Sequence, residues 1–377
     1  MSMQATAKTA RTAVPARPHA VNRAIADLRR GDVVLLHDGD AVALIQAAET
    51  IDDAGLARLM AWTGVAPSLA TTRRRAVALD LAPAETGSAS AVELKPSSVT
   101  ATLLNELADP TMARQVSAQP IAVTDAPKHG LAAAAIELAK LARLLPATVL
   151  FPIDAKKGRD LARREGFIEV TAETVFEHRT VLARTLRRVT DARVPLADAE
   201  DTRIVAFRPD DGGVDHLAIL IGEPRGPEPV LARIHSECFT GDLLGSLRCE
   251  CGEQLRGAIK KIAEAGGGVV IYLAQEGRGI GLINKLRAYR LQDTGFDTVD
   301  ANEQLGFDAD ERVYQPAAEI LRQLGFDKVR LLTNNPDKIT ALAQHGIEVV
   351  REPHAFAPNN HNRAYLDTKA TRSGHLF

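Results

Sequence analysis

Residues 253–281 read EQLRGAIKKIAEAGGGVVIYLAQEGRGIG, and this stretch decides the fold of the second half of the chain. Leu255, Ile259 and Ile262 recur at helical spacing, which predicts a helix with one apolar face before the three glycines. The apolar run 269–273 that follows the glycines is typical of a buried strand. A helix, a buried strand and a glycine-rich turn in this order predict a layered α/β domain.

The same alternation continues on both sides of this stretch. Two further apolar runs of the buried-strand type lie in the second half, at 230–234 and 329–332. In the first half the spacing predicts three helices and three strands, the first two strands forming a hairpin: helices over 21–28, 50–60 and 130–145, and strands over 33–36, 41–45 and 148–153. Residues 85–100 are rich in Ser, Thr and Ala and are predicted to be a loop.

Length and sequence pattern predict a two-domain α/β protein with layered α+β character. A chain of 377 residues is too long for one ordinary domain, and a charged stretch over 179–193 separates two parts with different sequence patterns. We expect a flexible tail over 1–20, a first domain over 21–188 and a second domain over 189–377. The tail is basic and has no acidic residue, as in a transit peptide, but it lacks an apolar face, so we interpret it as a frayed terminus.

Composition excludes several classes of protein. The formal net charge of −2 gives no overall field that would attract nucleic acid or a membrane surface. The longest apolar stretch, 131–153, contains three charged residues and two prolines, so it is not expected to span a bilayer. Three cysteines in so long a chain cannot form a disulfide scaffold. These features predict a soluble, cytoplasmic protein.

The three cysteines fall within 14 residues, at Cys238, Cys249 and Cys251, in the pattern C-x10-C-x-C. Soft thiolates gathered from two chain segments suit zinc. Three protein ligands would leave a fourth tetrahedral position for water, which is the arrangement of a catalytic zinc site. His235 could instead complete a closed structural site, and the cysteines could also be small core residues without a metal.

Charged motifs downstream suggest an anion site. The turn 275–281 carries Glu276 and Arg278 between a strand and a helix, where backbone N–H groups and a guanidinium could bind phosphate. Asp310 and Arg312 lie two residues apart, a spacing that a solvated surface would also explain. The segment 333–338 follows a buried strand, so its Thr and Lys could bind phosphate or simply cap the next helix.

Taken together, these segments closely resemble GTP cyclohydrolase II. The motifs that carry the resemblance are RIHSEC at 233–238, GD at 241–242, SLRCECG at 246–252, QEGR at 275–278, NKLRAY at 284–289, LGFDADER at 305–312 and LTNNP at 332–336. The resemblance runs from about residue 186 almost to the C-terminus. One departure is Ala274, which stands where many members of that family have a basic residue.

The resemblance implies roles for particular residues. Cys238, Cys249 and Cys251 would hold a catalytic zinc that activates water for attack on C8 of guanine. Arg312 would be the nucleophile toward the α-phosphorus, Asp310 its proton acceptor and Tyr289 an aid to ring opening, with magnesium on the triphosphate. The implied GTP contacts are Arg233, Ile234, His235, Ser236, Glu237, Gln254, Glu276, Gly277, Arg278, Thr298, Thr333 and Lys338.

The first half bears a fainter resemblance to 3,4-dihydroxy-2-butanone 4-phosphate synthase, the usual fusion partner of this family. The acidic loop of that synthase is shortened here to LHDGDA at 36–41, and its GHTE motif reads GLAA at 130–133. We therefore expect a degenerate domain that acts as a scaffold or a dimer contact within a homodimer. The alternatives are a bifunctional enzyme with a working first half, and a catalytically silent regulator that binds GTP and zinc.

Overall fold

The computed structural model describes residues 19–83, 91–112, 120–224 and 228–354. Most of the predicted tail, residues 1–18, lies outside these ranges. So does the end of the predicted second domain, residues 355–377.

A seven-stranded sheet with helices packed on it forms the first half. Its helices are α1 (Ala20–Arg30), α2 (Asp53–Thr63), α3 (Arg73–Ala78), α4 (Ala101–Ala108), α5 (Leu131–Leu141), α6 (Ala155–Glu165) and α7 (Ala172–Arg184). Its strands are β1 (Val34–Asp38), β2 (Ala41–Ala47), β3 (Ser68–Thr72), β4 (Ala91–Pro96), β5 (Ile121–Asp125), β6 (Ala147–Pro152) and β7 (Ile168–Thr171). The strand order is β5-β4-β3-β6-β2-β1-β7, and only the β1–β7 pair is parallel.

A second seven-stranded sheet forms the other half. Its helices are α8 (Cys251–Glu264), α9 (Leu282–Gln292), α10 (Thr298–Gln304), α11 (Gln315–Gln323) and α12 (Pro336–Gln344). Its strands are β8 (Arg187–Arg193), β9 (Thr202–Arg208), β10 (His216–Ile221), β11 (Val230–Ser236), β12 (Gly268–Leu273), β13 (Lys328–Leu332) and β14 (Glu348–Glu352). In the order β14-β13-β11-β12-β10-β9-β8, the first four strands are parallel and the others antiparallel.

The two-domain α/β fold predicted from the sequence is confirmed. The predicted hairpin is also present, since β1 and β2 pair antiparallel with Asp38 opposite Ala41. The predicted loop over 85–100 is wrong in part, because β4 lies within it and pairs with both β3 and β5. Burial of Val92 and Leu94 in the core overrides the weak strand propensity of that segment. The predicted domain boundary falls within β8, and no helix in the described ranges is long and apolar enough to cross a bilayer.

The two halves share one apolar core. A single cluster of buried side chains joins first-half residues such as Phe151 to Ile280, Leu305 and Phe307 of the second half. Around it, Thr72 Oγ1 donates a hydrogen bond of 2.8 Å to the carbonyl oxygen of Gly306. Arg75, which is 1% exposed, donates to backbone carbonyl groups of both halves. The halves are therefore packed as one body.

Gly306 packs closely against the first half, and this contact yields a test. A Cβ atom there would come within 2.8 Å of Thr72 Oγ1 and 3.0 Å of Pro146 Cγ, and φ is +85°. Gly306→Ala is expected to lower the free energy of unfolding by about 1–2 kcal/mol for the left-handed backbone and by a further 1–3 kcal/mol, roughly, for overpacking. Urea denaturation followed by circular dichroism measures the change.

Gly325→Ala is the matched control. Gly325 also follows a helix and has a φ of +83°, but a Cβ atom there would meet nothing within 4 Å. It should therefore show only the backbone effect. Equal losses in the two variants would mean that the halves do not depend on close packing at Gly306.

Candidate active site

The carboxyl ends of the parallel strands β11, β12 and β13 open on a cavity of about 380 Å³. Ligands of open α/β sheets bind at this edge, because the loops that follow neighbouring strands converge there. A cavity of this size lies in the range of small-molecule sites. The cavity contains most of the site residues expected from the sequence.

The connection between β11 and α8 brings the three cysteines together. Cys238 follows β11, a π-helical turn (Phe239–Leu243) comes next, Cys249 lies in the following loop, and Cys251 begins α8. The three Sγ atoms lie within 4.8 Å of one another, and those of Cys238 and Cys249 are 3.8 Å apart. This sulfur cluster, Cys238, Cys249 and Cys251, contains no disulfide.

Glycines make this convergence possible. A Cβ atom at Gly241 would lie 2.6 Å from Cys249 Sγ and 3.0 Å from Cys238 Sγ. A Cβ atom at Gly252 would lie 2.3 Å from the carbonyl oxygen of Gly241. No other residue fits at either position, so the turn and the start of α8 can pack directly against the sulfur cluster.

The electrostatics of the sulfur cluster favour a bound cation. Hydrogen bonds from Cys249 and Cys251, together with Lys285, hold the pKa of Cys238 far below its usual range. The same contacts with the Cys238 sulfur, and burial, raise the pKa of Cys251. The Cys238 thiolate is thus stabilised by hydrogen bonds from the neighbouring thiols. A bound metal ion would stabilise the negative charge in their place when all three thiols ionise. The donor set and its spacing fit a soft metal ion.

His235 does not belong to the sulfur cluster. Its Nε2 lies 3.0 Å from each carboxylate oxygen of Asp242, and its ring stacks on Tyr272 with a centroid distance of 5.5 Å. Asp242 also accepts hydrogen bonds from the Cys238 backbone N–H and from the Tyr272 hydroxyl. Burial lowers the pKa of His235. Within the described residues, the candidate metal site therefore has three sulfur ligands and no histidine.

Lys285, on α9, links the sulfur cluster to the turn after β12. Its Nζ is 3.0 Å from Cys238 Sγ and 2.9 Å from Glu276 Oε1. Burial opposes the charge of Lys285, but the Cys238 sulfur and Glu276 raise its pKa. One turn further along α9, Tyr289 has its ring centroid 5.9 Å from Lys285 Nζ and 5.0 Å from Arg248 Cζ.

The turn after β12 is held in an unusual conformation. Gly277 and Arg278 have φ values of +65° and +59° inside the 3-10 helix Glu276–Gly279. The buried Glu276 carboxylate accepts hydrogen bonds from the Phe239 N–H at 2.6 Å and the Gly277 N–H at 2.8 Å. Glu276 therefore ties this turn to the π-helical turn next to Cys238. Burial, and then the nearby Glu276 charge, raise the pKa of Glu237.

Asp310 and Arg312 form a close pair at the cavity wall. Arg312 Nε lies 2.8 Å from Asp310 Oδ1, and Arg312 Nη2 also contacts Asp310 Oδ2. Although burial opposes ionisation, Arg312 lowers the pKa of Asp310, so this carboxylate remains charged. The Arg312 guanidinium lies 5.7 Å from the ring centroid of Tyr314, whose pKa burial raises to about 12.

Buried polar groups line the opposite wall. Arg233 donates to the Leu332 carbonyl oxygen and to Gln254 Oε1, and burial lowers its pKa to about 10. Lys338 Nζ donates to the Ile234 carbonyl oxygen at 2.9 Å. Arg233 Nε and Ser236 Oγ are buried without a hydrogen-bond partner in the described part of the chain. Buried polar atoms of this kind usually have a partner, so these two are available to a ligand.

The structure brings nearly all the predicted site residues to one cavity. Those that line it are Arg233, His235, Ser236, Glu237, Cys238, Cys249, Cys251, Gln254, Glu276, Gly277, Arg278, Tyr289, Thr298, Arg312, Thr333 and Lys338. Ile234 and Asp310 do not line it. Ile234 contributes its carbonyl oxygen to Lys338, and Asp310 acts on the cavity through Arg312.

Sequence reasoning missed several residues of this site. Lys285 lies four residues before Tyr289, a spacing that places both on one helix face and could have revealed it. Asp242 lies in a motif that carries the family resemblance, but nothing in the sequence predicts that it binds His235. Arg248 lines the cavity beside the ring of Tyr289.

Comparison with known proteins identifies relatives of this chain. The sequence profile of GTP cyclohydrolase II matches residues 187–353. GTP cyclohydrolase-2 of Azospirillum brasilense is 55% identical over 364 residues, which cover 95% of this chain and 94% of that protein. GTP cyclohydrolase-2 of Cronobacter sakazakii is 54% identical over 193 residues, covering 51% of this chain and 98% of that protein. Riboflavin biosynthesis protein RibBA of Chlorobium phaeovibrioides is 43% identical over 253 residues, covering 65% and 62%.

The matched profile covers the half that contains the sulfur cluster, the Asp310–Arg312 pair and the cavity between them. The Azospirillum relative is similar along almost the whole chain, including the first half. The protein is an enzyme, and its chain belongs to the GTP cyclohydrolase II family.

Proposed function

We propose that the protein hydrolyses GTP to 2,5-diamino-6-(5-phospho-D-ribosylamino)pyrimidin-4(3H)-one, formate and pyrophosphate, the first step of riboflavin biosynthesis. The observation that carries this proposal is a single cavity lined by both a three-sulfur cluster and the guanidinium of Arg312. The reaction opens a purine ring and cleaves a triphosphate, so it needs a hydrolytic site and a phosphate site side by side. The family membership of the chain supports the same reaction.

The metal in this proposal is zinc, held by Cys238, Cys249 and Cys251. When bound, zinc would lower the pKa of a coordinated water toward about 7 and so supply hydroxide for ring opening at neutral pH. The residues around the cluster have their own tasks. Asp242 fixes the backbone at Cys238, and Lys285 places a positive charge next to the sulfurs, which limits their excess negative charge. Tyr289 lies against Lys285, where its hydroxyl could assist proton transfer during ring opening.

Arg312 is the proposed nucleophile toward the α-phosphorus. A guanidinium is normally protonated and has no free lone pair, so it must lose a proton as it attacks. Asp310, which is ionised and hydrogen-bonded to Arg312 Nε, is suited to accept that proton. The N–P bond would form as the P–O bond to pyrophosphate breaks, and water would later cleave the N–P bond to regenerate Arg312.

The remaining cavity residues would bind GTP. Arg233, Lys338 and Arg278 supply positive charge, and magnesium on the triphosphate would neutralise the leaving group further. The residues proposed as GTP contacts are Arg233, Ile234, His235, Ser236, Glu237, Gln254, Glu276, Gly277, Arg278, Thr298, Thr333 and Lys338.

A pair of variants separates the two halves of the reaction. Cys249→Ser removes one sulfur ligand, so formate release and bound zinc are expected to fall below detection while slow pyrophosphate release continues. Arg312→Ala removes the nucleophile, so pyrophosphate release and formate release are both expected to stop while zinc is retained. The measurements are formate and pyrophosphate assays with GTP and magnesium, and metal analysis of the purified variants.

Arg322→Ala is the control, because Arg322 is an exposed residue of α11 whose side chain, among the described residues, pairs with Glu319 and with the His345 carbonyl oxygen. Its turnover should equal that of the wild type. Normal turnover in Arg312→Ala would remove the nucleophilic role. Wild-type protein that holds zinc but leaves GTP unchanged would support a silent GTP- and zinc-binding regulator instead.

We further propose that the first half, residues 21–188, is a degenerate butanone-phosphate synthase domain without activity. The shortened acidic loop supports this, since Asp38 pairs with Ala41 across a two-residue turn. His37 in this segment is buried and lies 3.4 Å from Glu169. The GLAA segment that replaces the GHTE motif starts α5, with Ala132 and Ala133 packed in the core.

A ribulose 5-phosphate assay tests this proposal. Purified protein with magnesium is expected to form no 3,4-dihydroxy-2-butanone 4-phosphate, because the acidic loop that binds the metal in that synthase is shortened here to a turn with two carboxylates, Asp38 and Asp40. Formation of that product would establish the second candidate function, a bifunctional enzyme. The similarity to a RibBA protein is the observation that favours this second candidate.

The protein is also proposed to form a homodimer. An open groove between the halves is lined by polar and charged side chains together with the exposed Met112, Ile283 and Leu286. A second copy that covers this groove would remove these three apolar side chains from water. Exposed apolar side chains rimmed by polar residues often mark protein interfaces.

Ile283→Asp is expected to convert a dimer into a monomer, because the contact would lose an apolar side chain and would have to desolvate a carboxylate. Val181→Asp, at an exposed position on α7, should leave the dimer intact. Sedimentation velocity at micromolar concentration measures both. A monomeric wild type would contradict the proposal.

A further inference from the structure

The end of helix α5, in the first half, reaches loops of the second half. Lys140 Nζ lies 2.6 Å from Glu311 Oε1. Arg143 Nη2 donates a hydrogen bond of 3.1 Å to the carbonyl oxygen of Ala274, and the Arg143 carbonyl oxygen accepts one of 3.1 Å from Asn284. Residues 140–143, which we name the α5 end segment, thus bind three different places of the second half.

Two of these places are neighbours of the proposed substrate residues. Glu311 lies between Asp310 and Arg312 in the chain, and its backbone N–H donates to the Arg278 carbonyl oxygen at 3.0 Å. The Glu311 carboxylate also accepts from the Asp308 N–H at 2.9 Å. Glu311 therefore joins the loop of the nucleophile to the turn that carries Arg278, and Lys140 is the cation beside its carboxylate.

The Lys140–Glu311 pair is well shielded from water. The side chains of Lys140 and Glu311 are 13% and 11% exposed. An ion pair this sheltered is screened far less than a surface pair, and removing one partner leaves an uncompensated charge. Without Lys140, the Glu311 carboxylate is expected to move toward solvent to regain hydration. The loop that carries Arg312 would move with it.

The peptide group of Ala274 is held from two sides. Its N–H donates to His216 Nδ1 at 3.1 Å, and its carbonyl oxygen accepts from Arg143. This residue comes directly before Gln275, whose side-chain amide donates to the Val313 carbonyl oxygen at 2.8 Å. Arg143 thus fixes the start of the turn whose other end is bound to Glu311.

Backbone strain is concentrated at the same junction. Arg143 has a φ of +58° and Arg278 one of +59°, and only one further non-glycine residue in the described ranges has a positive φ. Gly281 allows the contact, because a Cβ atom there would lie 3.1 Å from Arg143 Cβ. Such strained residues persist where surrounding contacts fix them, often at functional sites.

We infer that the α5 end segment is a positioning element for GTP hydrolysis, through which the first half sets the geometry of Arg278 and Arg312. This inference rests on the proposed function. It gives the first half a part in the reaction without any chemistry of its own. Lys140 and Arg143 are positioning residues that act through Glu311 and Ala274.

The test uses the full-length protein and the variant Lys140→Met, which removes the charge and keeps the length of the side chain. The kcat for pyrophosphate release is expected to fall by about 10- to 100-fold, since small misplacements of reacting groups have effects of this size. The zinc content should not change, because the sulfur cluster lies outside these contacts. Lys140→Arg should recover most of the loss, and Arg163→Ala, on the exposed face of α6, should behave as the wild type.

A double-mutant cycle with Glu311→Gln separates positioning from general destabilisation. If Lys140 acts through Glu311, the activity of the double variant should be no lower than that of the less active single variant. Multiplied losses, or a Lys140→Met variant with wild-type kcat, would overturn the inference. If the wild type itself does not turn over GTP, the proposed function fails instead.

Discussion

The site depends on the absence of a side chain at two positions, Gly241 and Gly252. Three sulfur atoms from separate positions can meet only if the π-helical turn and the start of α8 come into backbone contact. Gly241 and Gly252 allow this, and any side chain at either position would occupy the space of a sulfur or a carbonyl oxygen. The metal site is therefore determined as much by absent side chains as by the cysteines themselves.

From this contact, charge pairing extends across the cavity. Lys285 contacts both Cys238 and Glu276, and Glu276 accepts hydrogen bonds from the backbone N–H groups of Phe239 and Gly277. The sulfur cluster and the turn of Arg278 are thus held in one hydrogen-bonded network. A buried network with an unsatisfied member is costly in free energy, so displacing any one of these groups would destabilise the network.

Much of the site could be predicted from the sequence because its residues lie in short, contiguous motifs. C-x10-C-x-C, with glycines nearby, predicts converging sulfurs, and the structure brings these within 4.8 Å. Asp310 and Arg312 are two residues apart, and the structure joins them directly. The apolar runs likewise predict the buried strands β11, β12 and β13, whose ends open on the cavity.

What the sequence could not predict depends on contacts between distant segments. Lys140 and Glu311 are 171 positions apart, and neither belongs to a pattern that indicates the other. The strand β4 was hidden for a similar reason, since its place in the sheet is fixed by neighbours on both sides rather than by its own propensity. Arg233 Nε and Ser236 Oγ are buried without a hydrogen-bond partner among the described residues, and this can be recognised only when burial is known.

The shared core has a consequence for the history of the chain. Ile280, Leu305 and Phe307 are buried against the first half, although they belong to the half that contains the sulfur cluster. A descendant that lost residues 21–188 would expose these apolar side chains to water. A second half on its own would have to cover this face in another way, by polar replacements or by contact with another chain.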